Sequence, residues 1–86
     1  MRQTLNATEL QKARRGIGAR LREARAARDL TQAELGKLAG FSEAVVQQIE
    51  DGTLWHPNIV SELAVAMGIT PAWLQWGEPF SDKSVE

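Results

Sequence analysis

Between Thr31 and Gly52 the chain carries two helix starts and two helix stops in close succession, and no other feature constrains its fold as strongly. Thr31 with Glu34 reads as a capping box, each side chain satisfying a first-turn N–H, which predicts a helix over 32–39. Gly40 ends it, because glycine takes the left-handed conformation of a helix end without steric cost. Ser42 caps the next helix, over 43–51, and Gly52 closes it. Helices this short are marginal alone in water, so each must bury a face against its neighbours. The same punctuation continues downstream. Pro57 suits the first position of a helix over 57–67 that Gly68 ends, and Thr70 with Pro71 opens another over 71–76, stopped by Gly77 and Pro79.

Upstream the signals are weaker. Thr8 with Gln11 resembles a capping box, but Gly16 and Gly18 each cost about 1 kcal/mol relative to alanine inside a helix. Residues 1–15 are therefore expected to form an arm or extra turn. The first main helix is expected over about 17–29, with Ile17, Leu21 and Ala24 on its inner face. No run reads as a strand. The expectation is an all-α chain: an N-terminal extension, a five-helix domain over 16–78, and a polar tail over 79–86.

Charge is divided along the chain. Residues 1–37 hold nine Lys and Arg against four acids, whereas residues 38–86 hold one Lys against seven acids, so a net charge of −1 conceals a polar molecule. The basic half suits either phosphate binding or a solvated helix face. With no cysteine and one histidine, His56, neither a thiolate nor an imidazole metal cluster is available, and no metal or cofactor is expected. No Ser-His-Asp set or phosphate loop is recognisable, and Gly16-Ile17-Gly18 lacks the third glycine and preceding strand of a nucleotide fingerprint, so no enzyme is expected. No membrane span or secretory segment is legible, which points to a soluble, cytoplasmic chain.

The stretch QAELGKLAGFSEAVVQQIED, Gln32 to Asp51, carries the functional argument. Gly36 supplies a small residue where two helices cross, and Gly40 a turn residue tolerant of positive φ. Leu35, Ala39, Phe41, Val46 and Ile49 fall inward; Ala44, Val45, Gln47 and Gln48 fall largely outward. Together these resemble the Cro and phage-repressor type of helix-turn-helix, also called the xenobiotic-response-element family. "LTQAELGKLAGFSEAVVQQIEDG" is similar to its helices 2 and 3, and "HPNIVSELAVAMGITPAWLQWGE" to its helices 4 and 5, over about 17–78.

The resemblance implies a compact lambda-repressor-like domain that binds operator DNA with helix 3 in the major groove, as a homodimer on a two-fold symmetric site. It implies base contacts from Glu43, Ala44, Val45, Gln47 and Gln48, with Gln48 suited to adenine and Ala44 and Val45 to a thymine methyl. It implies backbone contacts from Arg25, Thr31, Gln32, Ser42, Thr53, Trp55, His56 and Asn58, and an Arg25–Glu50 pair tying helix 1 to helix 3. The chain departs from the pattern after helix 3. There Thr53-Leu54-Trp55-His56 is poor in cations, leaving Arg14, Arg15 and Arg20 as candidates to supply charge from the N-terminal side.

Other roles stay open. Gln47 and Gln48 also fit an exposed polar face, and Glu43 fits an acid complementing a helix dipole. Trp55 either packs under helix 4 or faces outward, His56 is a helix cap or a surface residue, Trp73 belongs to the core or a dimer seam, and Trp76 is the more exposed candidate for self-association. The rival reading is a protein-interaction module on the same fold, taking a partner such as an antirepressor or a toxin. Taken as complete, the chain has no room for a sensing domain, which leaves control to its concentration, a protein antagonist or its removal.

Overall fold

The Asn6 carboxamide oxygen accepts from Glu9 N at 2.8 Å while Asn6 N donates to the Glu9 carboxylate at 3.1 Å. This reciprocal box starts α1 at Ala7 and carries it to Ala27, so the first helix begins well before Ile17 and is not capped by Thr8. Asparagine is a better N-cap than threonine and Glu9 places a negative charge at the positive end of the helix dipole, so this box prevails over the Thr8–Gln11 alternative. The remaining helices are α2 (Gln32–Ala39), α3 (Glu43–Asp51), α4 (Pro57–Met67) and α5 (Pro71–Trp76). This computed structural model describes residues 6–77; residues 1–5 of the expected arm, Pro79 and the tail lie outside the described residues.

Each short helix is capped as its sequence dictates. The Thr31 and Ser42 hydroxyls accept from Glu34 N and Val45 N, and the His56 Nδ1 accepts from Asn58 N at 3.2 Å. Gly40, Gly52 and Gly68 end α2, α3 and α4 in the left-handed region, at φ of 86°, 79° and 71°.

The core draws on every helix: Ile17, Leu21 and Ala24 from α1, Leu35 from α2, Val46 and Ile49 from α3, Val60, Leu63, Ala64 and Met67 from α4, and Trp73 and Leu74 from α5. Trp73 is 9% exposed, so of the two places its sequence allowed it takes the core. Helix α1 lies along α3 and α5, α2 along α3 and α4, and α4 along α5.

Gly18 explains how α1 and α3 come so close. A Cβ built on it would stand 2.3 Å from the Glu50 carbonyl oxygen, a distance no side chain can occupy. The glycine that weakens α1 locally is what lets the two backbones touch. Gly36 does the same between α2 and the turn, where a Cβ would lie 2.6 Å from the Phe41 carbonyl oxygen.

Arg20 of α1 and Arg28 at its C-cap then tie down the ends of other helices. Arg20 donates to the Leu74 and Gln75 carbonyls, both at 2.9 Å, at the end of α5. Arg28 donates to the Met67 carbonyl at 2.9 Å, at the end of α4. Cations at helix C-termini meet both the unpaired carbonyls and the negative end of the dipole. Arg20, expected among the charges available to a ligand, is thus engaged within the fold. No helix among the described residues is long and apolar enough to cross a membrane.

Candidate nucleic-acid interface

Helices α2 and α3 meet through the turn Gly40-Phe41-Ser42, closed by Phe41 N donating to the Gly36 carbonyl at 2.7 Å. The period of α3 sends Val46, Ile49 and Glu50 inward and leaves Glu43, Ala44, Gln47, Gln48 and Asp51 exposed, with Val45 half-buried. The residues expected to read bases therefore share one outer face, apart from the half-buried Val45. Thr31, Ser42, Thr53, Trp55, His56 and Asn58, expected at the backbone, are all exposed. Several also have local duties: Thr53 donates its hydroxyl proton to the Gln48 carbonyl at 3.2 Å, and His56 caps α4.

Behind α3 the Glu50 side chain is fully buried and forms the hub of the site. Arg25 grips it with a fork, Nε to Oε2 at 2.7 Å and Nη2 to Oε1 at 3.2 Å, and donates through Nη1 to the Leu30 carbonyl at 2.8 Å. Gln32, the first residue of α2, donates from Nε2 to Oε1 at 3.0 Å. Arg22 adds a contact through Nε at 3.4 Å. One carboxylate thus joins α1, α2 and α3. The Gln32 amide, expected to face a phosphate, has one of its donors turned inward to this group.

Burial alone would raise the Glu50 pKa. The hydrogen bonds from Arg25 and Gln32, the Arg25 charge and the Arg22 contact outweigh it and hold the carboxyl below the usual glutamate range. The Arg25 pKa is raised, chiefly by its hydrogen bond to Glu50. A depressed folded-state pKa contributes stability that is complete above the unfolded value, about 4.3 for glutamate, and is lost as the pH falls from there through the folded value. Urea unfolding should accordingly show wild type losing stability more steeply below about pH 4.3 than Glu50→Gln. Parallel pH curves for the two proteins would contradict that origin.

A second surface lies between α1, α5 and Trp55. Trp55 turns toward α1 and α5, its indole N–H donating to the Gln75 side-chain oxygen at 3.4 Å, and with Leu10, Ala13, Arg14, Ile17 and Trp76 it lines a mostly apolar cleft. Trp76 is 66% exposed. Arg15 lies elsewhere, against Gly52 at the end of α3, where Gln11 also donates to the Gly52 carbonyl at 3.4 Å. The Arg22 and Gln32 bonds to Glu50 were not foreseen. The available signal was spacing, because Gln11, Arg15, Gly18, Arg22 and Arg25 recur every three or four residues and so form one stripe of α1.

Two short capped helices, a glycine crossing and an outward-facing second helix define a helix-turn-helix. The chain belongs to the helix-turn-helix domain family, whose model matches residues 17–74. It is also similar to the HTH-type transcriptional regulator PrtR of Pseudomonas aeruginosa, at 38% identity over 62 residues. That alignment covers 72% of this chain and 24% of the regulator, so the chain matches about a quarter of that curated relative's length.

Proposed function

We propose that this chain is a sequence-specific transcriptional regulator that binds duplex DNA with α3 in the major groove. The observation that carries this reading is the outer face of α3, Glu43, Ala44, Gln47 and Gln48, held outward by a helix whose other face is fixed through Val46, Ile49 and Glu50. Gln48 suits bidentate pairing with adenine and Ala44 suits a thymine methyl. Arg25, Thr31, Gln32 and Ser42 lie at the ends of the elements flanking α3, where they suit the backbone. The similarity to a transcriptional regulator supports the same reading.

In its fuller form the protein is a repressor of the Cro or phage type, acting in the cytoplasm as a homodimer. Its half-sites lie about one helical turn, roughly 34 Å, apart. Trp76 is the seam residue. The exposure of Trp55, at 39%, and of Trp76 around one apolar cleft favours a second reading, in which that face takes a protein antagonist and DNA binding is secondary.

Selection of sites from random duplex DNA, with Gln48→Ala in parallel, separates these readings. Enrichment of a palindrome, with base preference relaxed at one position by the substitution, is the expected result. A discrimination loss of about 1–3 kcal/mol at that base matches a bidentate contact. If low salt, which favours non-specific binding, gives no enrichment, the interaction reading takes precedence.

A further inference from the structure

The exposed face of α3 has no cation: Glu43, Ala44, Gln47, Gln48 and Asp51 are neutral or acidic. Laid in a groove, such a helix brings carboxylates toward phosphates, so the attractive charge must come from neighbouring elements. The cations of α1 and its C-cap are not equally available. Arg20 and Arg28 are engaged with carbonyls of α5 and α4, and the Arg25 fork neutralises Glu50.

Arg22 differs from all three. The one negative charge of Glu50 is already matched by Arg25, so the charge of Arg22 is in surplus. Its Nε contact of 3.4 Å is the longest that Glu50 accepts, its side chain is 58% exposed, and its Nη groups have no hydrogen-bond partner among the described residues. It is also held in place. The Nε contact tethers the guanidinium beside the carboxylate that orients Gln32 on α2, whereas no hydrogen bond or ion pair holds Lys12, Arg14, Arg15 or Lys37 among the described residues. A side chain anchored at one edge loses less freedom when its other edge meets a ligand, and the open edge of a guanidinium offers donors that match phosphate oxygens.

We propose that Arg22 is a phosphate-contacting residue of the DNA interface, an inference that rests on the DNA-binding reading above. Glu50 is then a positioning residue, holding Arg22, Arg25 and Gln32 in one fixed arrangement beside α3.

The test is the salt dependence of binding of the 86-residue chain to a fluorescent mixed-sequence duplex. Each neutralised phosphate contributes about 0.9 to the slope of log K against log salt, so Arg22→Ala should reduce the slope by about that amount, and Arg22→Lys should restore it. Arg22→Gln keeps a donor for Glu50 while removing the charge. It should lower the slope as the alanine variant does, and it serves alone if that variant fails to fold. If wild type binds with a clear slope and neither neutral variant changes it, or if lysine does not restore it, the role of Arg22 is overturned while the DNA reading stands. If wild type binds no duplex even at low salt, the DNA reading itself falls.

Discussion

Arg25→Ala should cost the domain about 3–5 kcal/mol of folding stability, read as a lower urea midpoint at unchanged slope. Glu50 has no exposed side-chain surface and Arg25 has 17%, so removing the arginine leaves a buried carboxylate with only Gln32 and the longer Arg22 contact. The desolvation cost of Glu50 then goes largely uncompensated. Removing Glu50 as well relieves that cost, so the double variant Arg25→Ala/Glu50→Ala should be less destabilised than the two single losses added together. A loss below about 1 kcal/mol for Arg25→Ala would place the pair with exposed ion pairs and remove Glu50 as the hub.

Gly18→Ala should destabilise by about 1–3 kcal/mol even though alanine is the better helix former by about 1 kcal/mol. The added methyl meets the Glu50 carbonyl oxygen at 2.3 Å and the Ile49 carbonyl oxygen at 2.8 Å, and backbone atoms cannot swing aside as a side chain does. Helices α1 and α3 must separate, which also lengthens the contacts from Arg22 and Arg25 to Glu50. Gly16→Ala is the control. Its methyl would meet only the end of the Arg20 side chain, at 3.3 Å, so helix propensity should decide the outcome and leave stability equal or higher. Equal stability for Gly18→Ala and Gly16→Ala in thermal unfolding would show that the close approach carries no energetic weight.

The contrast between these glycines marks where the sequence is readable. Helices α2 to α5 lie where their caps place them, because Thr31, Ser42, Thr70 and the closing glycines act on N–H and C=O groups within a turn of themselves. The outer face of α3 is legible for the same reason, since the helical period alone sends Gln47 and Gln48 away from Val46 and Ile49. The start of α1 depends on a competition between two similar boxes, Asn6–Glu9 and Thr8–Gln11, whose local signals differ little. The purpose of Gly18 is not local at all: the space a methyl would need is filled by a carbonyl 32 residues away. Arg20, Arg22 and Arg28 read alike as basic residues on one helix. Only the packing of α3, α4 and α5 determines which of them is engaged with a carbonyl, which with a carboxylate, and which retains a donor edge.

The bonds from Arg20 to α5 span 54 and 55 positions of the chain and join α1 to α5. Helix α5, six residues long, has too few internal hydrogen bonds to persist unaided, and carbonyls at its end are held by a side chain of α1. Unpacking of α1 around Arg20 therefore strips those carbonyls of their partner, and loss of α5 leaves the Arg20 guanidinium without these acceptors. During synthesis Arg20 leaves the ribosome 54 residues before Leu74, so these bonds can form only once α5 has emerged.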